Sequence, residues 1–179
     1  MSATAVLVSG TVGVGKSVTA DRIGYWLRAE RLPHAVIDLD EIRRYWPTPS
    51  DDPFGFEIGL RNLQPMVANY LATGVQRLVL AGVCESRSAR DRYETTIGVP
   101  QVVCRLRAPL AVLQSRLRRR HIDDPTGLAW HLARAEELDV ILDAANVADV
   151  EVATDMRTAK EVAAETLAAI GWSIAAVDA

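Results

Sequence analysis

The chain has 179 residues, a formal net charge of −3 and a hydrophobic fraction of 49%. This length and composition fit one globular domain and exclude a disordered or collagen-like chain. The small acidic excess creates no overall field that would attract nucleic acid or an anionic membrane. No apolar run approaches the ~20 residues that a transmembrane helix needs.

The N-terminal residues and the two cysteines bear on the compartment in which the protein is expected. The first ten residues lack the basic segment of a signal peptide, and both cysteines, Cys84 and Cys104, lie inside apolar runs. Buried, reduced thiols in a cytoplasmic protein are therefore expected, rather than a disulfide.

Short apolar runs alternate along the chain with amphipathic segments, a pattern typical of βαβ units and a parallel sheet. The predicted strands are 5–9, 35–38, 77–83, 101–106 and 149–153. The predicted helices are 16–30, one that begins at 40, 57–73, 109–120, 128–145 and 158–170. Proline-rich residues 46–55 and polar residues 121–126 are predicted loops. We expect a single domain, 1–179, with a three-layer α/β/α fold around a five-stranded parallel sheet.

The segment after the first predicted strand matches the phosphate-binding pattern G-x-x-x-x-G-K-[ST]. It consists of Gly10, Thr11, Val12, Gly13, Val14, Gly15, Lys16 and Ser17, with Val18 directly after it. Glycines at these positions let backbone N–H groups and the helix N-terminus face phosphate oxygens. Lys16 is expected to reach the β- and γ-phosphates, and Ser17 to coordinate Mg²⁺. One of only two lysines in the chain occupies the required position, which favours a nucleotide site over a chance match.

Two carboxylates, Asp38 and Asp40, follow the second predicted strand. Ligands of open α/β sheets bind at the carboxyl ends of strands, so both groups are expected near the transferred phosphate. One of them would hold a Mg²⁺-bound water, and the other would accept the proton of an attacking hydroxyl. The alternative is structural: Asp38 merely ends the strand, and Asp40 caps the helix that begins at Glu41.

Arg43, Arg44 and Arg61 flank the proline-rich loop and suit contacts to an anionic or polyhydroxylated acceptor. A solvated helix face is the alternative for each of them. The two phenylalanines, Phe54 and Phe56, lie at the same loop. Either one of them stacks on the acceptor, or both only close the loop onto the domain.

Four arginines end the fourth predicted helix, at positions 116, 118, 119 and 120, and a polar segment follows them. Such a segment can close over ATP as a lid, here about 116–127, adding positive charge and excluding water. A nucleic-acid patch is the alternative, which the acidic balance of the chain disfavours. The third predicted strand lacks an aspartate directly after it, and Glu85 either replaces that group through water or is a loop carboxylate.

Together these motifs resemble the small P-loop kinases of metabolites: adenylyl-sulfate kinase, shikimate kinase and gluconate kinase. Residues 38–43 resemble the D-G-D-x-x-R segment of the first, although Leu39 replaces its glycine, and Phe56 and Arg61 repeat its Phe–Arg spacing. Residues 116–121 resemble the R-x-x-R-x-H lid of gluconate kinase. The resemblance implies the strand order 2-3-1-4-5, catalysis assisted by Arg120, and nucleotide contacts from Arg116 and Asp155.

The predicted activity is transfer of the γ-phosphoryl group of ATP–Mg²⁺ to a hydroxyl of a small metabolite, by a monomer or a homodimer. The expected catalytic groups are Lys16, Asp38, Asp40 and Arg120, and the expected acceptor contacts are Asp40, Arg43, Phe56 and Arg61. A nucleotide-binding switch without an acceptor and a polynucleotide 5′-end kinase are the alternatives. An enzyme needs an acceptor cavity beside the aspartates, whereas a switch needs an exposed apolar docking face.

Overall fold

The computed structural model describes residues 2–175, which form five parallel strands and six α-helices. The strands are β1 (Thr4–Ser9), β2 (His34–Asp38), β3 (Arg77–Ala81), β4 (Gln101–Arg107) and β5 (Val150–Ala153). They run in the order β2-β3-β1-β4-β5, as expected. The helices are α1 (Lys16–Ala29), α2 (Phe56–Ala72), α3 (Arg87–Ile97), α4 (Leu110–Arg120), α5 (Pro125–Ala145) and α6 (Ala159–Ala169).

The central strand β1 is buried on both faces, because successive side chains of a strand point to opposite sides of the sheet. Val6 and Val8 join one apolar core, and Leu7 joins the other. The first core takes its helical side chains mainly from α1 and α6, including Ile23, Leu27 and Leu167. The second core takes them from α2 and α3, including Leu63, Tyr93 and Ile97. This arrangement leaves the carboxyl ends of β1, β2 and β3 at one edge of the sheet.

Three expectations about secondary structure need correction. Helix α3 was not predicted, because only Tyr93 and Ile97 of its residues are buried and the apolar stripe is too thin to recognise. The helix expected from 40 onward is a single 3₁₀ turn, Glu41–Arg43, after which the backbone becomes extended. Helix α5 begins at Pro125, since proline fits the first turn of a helix and Asp124 caps it by accepting from the Gly127 N–H.

Leu39, which stands where the resembled kinases have glycine, is buried in the second core at the end of β2. Its side chain fills the space beside Gly82: a Cβ added there would lie 2.5 Å from Leu39 Cδ1 and 3.0 Å from its Cβ. The absence of a side chain at Gly82 therefore makes room for the side chain of Leu39.

We expect Gly82→Ala to lower the free energy of unfolding by about 1–3 kcal/mol, the usual cost of overpacking a core. The loss should be smaller when Leu39 is already alanine, because the clashing atoms are then gone. Denaturant unfolding of the wild type, both single variants and the double variant measures this coupling. Strictly additive losses would show that the two residues do not compete for space.

The two cysteines are free thiols in the apolar interior. Burial raises the pKa of Cys84 and of Cys104 to about 11 in each case. Both sulfurs are thus held as unreactive thiols at neutral pH. Among residues 2–175, no helix is long and apolar enough to cross a membrane.

Candidate functional site

The loop between β1 and α1 adopts a backbone that glycine alone accommodates well. Gly10 has a φ of +138°, and a Cβ at this position would lie 2.6 Å from the Leu106 carbonyl oxygen. Gly15, with a φ of 106°, directly precedes the first turn of α1. The glycines of the motif therefore allow both the close approach to β4 and the turn that presents the helix N-terminus.

Lys16 begins α1 and folds back over the loop, where its Nζ donates to the Thr11 carbonyl at 3.2 Å. Burial lowers the pKa of Lys16, and the nearby carboxylates of Asp40 and Asp38 act against this shift. Thr11 is itself tied to α5, since its hydroxyl donates to the Ala135 carbonyl at 3.1 Å. The ammonium group is thus held beside the loop, close to two carboxylates.

Asp38 ends β2, and its carboxylate lies directly beside α1. The Ser17 hydroxyl donates to Asp38 Oδ2 at 2.6 Å, and the Asp40 N–H donates to Asp38 Oδ1 at 2.9 Å. The paired serine and carboxylate oxygens are hard donors of the kind that Mg²⁺ prefers. Ser17 and Asp38 therefore fit the role of magnesium-site residues, Asp38 directly or through water.

Asp40 does not cap the 3₁₀ turn, because its side chain accepts no hydrogen bond from a backbone N–H of that turn. Its carboxylate instead forms an ion pair with Arg43, three residues later. Slightly more than half of the Asp40 side chain is exposed, whereas Arg43 is largely buried. The carboxylate is thus oriented by Arg43 and open to a ligand.

A cavity of about 720 Å³ lies over this edge of the sheet. Among the residues predicted for the site, its lining includes Val12, Gly13, Gly15, Lys16, Ser17, Val18, Asp38, Asp40, Arg43, Arg116 and Arg120. Gly10, Thr11 and Val14 lie beneath the lining and shape the loop; Thr11 and Val14 are buried.

Three further residues expected at the site, Phe56, Arg61 and Asp155, also lie outside the cavity lining. The Phe56 ring packs edge-on against Tyr93, with centroids 5.4 Å apart, because α2 begins at this residue and turns its side chain inward. Arg61 lies on the exposed face of the same helix. Asp155 follows the buried Thr154 just after β5.

The lining also contains Glu85, for which the sequence left two roles open, and several residues that the sequence did not reveal. Helix α5 passes over the cavity and contributes Trp130, His131, Arg134 and Leu138, while the segment after β3 contributes Val83 and Glu85. Trp130, Arg134 and Leu138 are spaced by four, which places them on one helix face. That spacing was the available signal, but it is equally typical of a helix face that packs on the core.

Arg134 and Glu85 form an ion pair within this part of the lining, which is called the second wall of the cavity below. Arg134 Nη2 lies 2.6 Å from Glu85 Oε1, and Arg134 Nη1 lies 2.7 Å from Glu137 Oε2. The Arg134 Cζ atom sits 4.3 Å from the ring centroid of Phe54. The aromatic residue of the proline-rich loop that reaches the cavity is therefore Phe54 rather than Phe56.

The first arginine of the cluster at the end of α4 is anchored in the body of the protein. Arg116 donates to the Val14 carbonyl at 3.3 Å, and to the Thr154 hydroxyl and carbonyl at 2.9 Å and 2.6 Å. Arg116 thus links the loop between β1 and α1 to the segment after β5. Arg120, one turn later, also lines the cavity.

No family model and no curated protein matches the chain. Solved structures do match it along almost its full length. The Deinococcus radiodurans tunicamycin resistance protein is 22% identical, with a TM-score of 0.65 and coverage of 98% of this chain and 99% of that one. Shikimate kinase from Acinetobacter baumannii, in complex with shikimate, is 18% identical, with a TM-score of 0.60 and coverage of 95% and 93%.

A gluconokinase from Sinorhizobium meliloti 1021 is 19% identical, with a TM-score of 0.59 and coverage of 95% and 91%. The chain has the fold of the P-loop small-molecule kinases. The predicted α/β/α class, the parallel sheet and the strand order are therefore confirmed. In this P-loop kinase fold, the cavity lies at the carboxyl ends of the strands, the usual place for a ligand.

Proposed function

We propose that this chain transfers the γ-phosphoryl group of ATP–Mg²⁺ to a hydroxyl group of a small molecule. The observation that carries the proposal is one continuous cavity that joins the phosphate loop, through Lys16 and Ser17, to a second wall formed by Phe54, Glu85 and Arg134. Asp40 lines the same cavity and is exposed to it. A protein that only held the nucleotide would not need this second wall.

The end of the cavity beside Lys16 and Ser17 is called the phosphate end here. Each group at this end has a distinct role in the proposal. The Lys16 ammonium stabilises the charge that develops on the transferred phosphoryl group, and Arg120 adds positive charge from the end of α4. Ser17 and Asp38 hold Mg²⁺, which neutralises the β- and γ-phosphate oxygens when bound. Arg116 and Asp155 contact the nucleotide farther from the reacting phosphate.

Asp40 acts as the general base in the proposal. Its carboxylate accepts the proton of the acceptor hydroxyl as the oxygen attacks phosphorus. The ion pair with Arg43 orients the carboxylate for this transfer. The small-molecule kinases named above support the reaction class through their shared fold.

The direct test is a screen of ATP consumption against a panel of hydroxylated small molecules, with phosphorylated product identified by mass spectrometry. Acceptor-dependent ADP formation is the expected result. Tight ATP binding without any acceptor-dependent turnover would favour the nucleotide switch. Salt-sensitive phosphorylation of oligonucleotide 5′ ends would favour the polynucleotide kinase.

We further propose a lid formed by residues 118–131, which is shifted toward the C-terminus relative to the segment 116–127 expected from the sequence. Arg116 is tied to Val14 and Thr154, and Leu117 is fully buried, so the moving part begins after them. Ala135, whose carbonyl accepts from Thr11, marks the fixed part of α5.

Hydrogen exchange is expected to slow in residues 118–131 when a non-hydrolysable ATP analogue and Mg²⁺ bind, because closure orders the segment. Peptides from α6 serve as the internal control and should exchange equally with and without the analogue. Strong protection of the proposed lid before the analogue is added would identify a rigid helix end instead.

A further inference from the structure

The two ends of the cavity differ in how their positive charges are compensated. At the phosphate end, Lys16, Arg116 and Arg120 form no ion pair with any carboxylate of residues 2–175. At the other end, every lining arginine is paired: Arg43 with Asp40, Arg44 with Glu41, and Arg134 with Glu85 and Glu137. The lining cations that have no ion pair within residues 2–175 therefore lie at the phosphate end.

At the acceptor end, which is the end formed by the second wall, the positive charge of Arg134 is already paired with carboxylates. Only 8% of its side chain is exposed, and each of its terminal nitrogens already contacts a glutamate. One face of the guanidinium is covered by Phe54. A carboxylate or phosphate on the acceptor would have to displace a glutamate to form the two-pronged contact that arginine offers to anions.

The same end of the cavity presents apolar surface. Phe54 is 43% exposed and Trp130 is 53% exposed, and both residues line the cavity together with Val83 and Leu138. Exposed aromatic rings in a concave site gain free energy when a flat apolar group covers them. The ion-paired arginines and the exposed aromatic rings of Phe54 and Trp130 both favour a ligand without net charge.

We propose that the phosphoryl acceptor is an uncharged, hydroxylated ring compound, which stacks against Phe54 and Trp130 while Glu85 bonds to its polar groups. The inference rests on the proposed phosphotransferase function and adds the acceptor class to it. In this arrangement Glu85 excludes anionic acceptors by occupying Arg134.

Binding of matched probes tests the acceptor class without depending on turnover. The probes are pairs of ring alcohols that differ only in a carboxamide or a carboxylate, such as 4-(hydroxymethyl)benzamide and 4-(hydroxymethyl)benzoate. Their dissociation constants are measured by ligand-observed NMR on the full chain with Mg²⁺ and a non-hydrolysable ATP analogue. Carboxamides are expected to bind at least ~10-fold more tightly, because no unpaired cation receives the carboxylate.

Two variants connect the preference to the named residues. The double variant Glu85→Gln/Glu137→Gln frees Arg134 and should shift the amide-to-carboxylate ratio at least ~10-fold toward carboxylates. Glu136→Gln is the matched control, since this neighbouring glutamate bonds to Gln114 at 3.1 Å and lies outside the cavity lining. Circular dichroism and ATP-analogue affinity verify that each variant remains folded.

The aromatic contribution is tested in the same way. Trp130→Ala should weaken carboxamide binding about 10-fold through the loss of the ring contact. Trp46→Ala should leave it unchanged, because Trp46 is 90% exposed and outside the cavity lining.

Equal or tighter carboxylate binding by the wild type, failure of both probe classes to bind, or an unchanged ratio in the double glutamate variant would overturn the neutral-acceptor proposal. Product assays separate this inference from the proposed function. Turnover of carboxylate acceptors would leave the phosphotransferase intact and refute the acceptor class. Carboxamide binding without turnover of any acceptor would refute the phosphotransferase instead.

Discussion

Replacing Lys16 with alanine is expected to lower phosphoryl transfer at least ~100-fold, the loss typical of removing one preorganised group that stabilises transition-state charge. The Lys16 ammonium lies beside the loop between β1 and α1, where its Nζ donates to the Thr11 carbonyl. Steady-state ADP formation with an acceptor identified by the screen measures the effect.

The Lys16→Ala chain should be at least as stable as the wild type in the absence of nucleotide. Burial lowers the pKa of Lys16 in the folded protein, so the unfolded chain holds this proton more tightly than the folded chain does. At neutral pH, which is below the ordinary pKa of a lysine, burial of this group therefore opposes folding. Thermal unfolding at pH 7 checks the sign of the change.

Lys160→Ala is the matched control, since Lys160 is the only other lysine of the chain and lies exposed in the first turn of α6. This variant should keep wild-type turnover. Full activity in the Lys16 variant would contradict the kinase proposal at its most specific point.

Asp40→Asn is expected to lower turnover at least ~100-fold while ATP affinity stays nearly constant, because the lost group is a base for the acceptor and not a nucleotide ligand. Asp38→Asn should instead raise the Mg²⁺ concentration needed for half-maximal rate, since Asp38 faces Ser17. Titrations of Mg²⁺ and ATP against both variants separate the two roles.

Asp91→Asn provides a control for the removal of a carboxylate, because Asp91 is exposed on α3, outside the cavity lining. It should match the wild type in both titrations. An Asp40→Asn variant with wild-type turnover would reduce Asp40 to a partner of Arg43. The general base for the acceptor hydroxyl would then have to be another residue.

The sheet and the phosphate loop were predictable because their signals are local. A run of apolar residues that ends in a glycine-rich turn and a lysine can be recognised without any distant contact. Because the sheet is parallel, the carboxyl end of β2 is expected at the same edge of the sheet as this turn. Asp38 and Asp40 could be placed near the loop on this basis. Their different partners, Ser17 and Arg43, became visible only in three dimensions.

The second wall of the cavity was not predictable because it depends on how α5 crosses the sheet. The spacing of Trp130, Arg134 and Leu138 defines a face but not what that face meets. A similar limit applies to the two phenylalanines. The start of α2 decides that Phe56 turns inward, whereas Phe54 reaches the cavity.

The contact between Leu39 and the empty side of Gly82 has a consequence for inheritance. The two positions share one volume, so leucine at 39 is compatible with a well-packed core only where 82 carries no side chain. Homologous chains with leucine at 39 are therefore expected to carry glycine at 82, while chains with glycine at 39 are free to accept alanine or serine there. Substitutions at these two positions are expected to occur together.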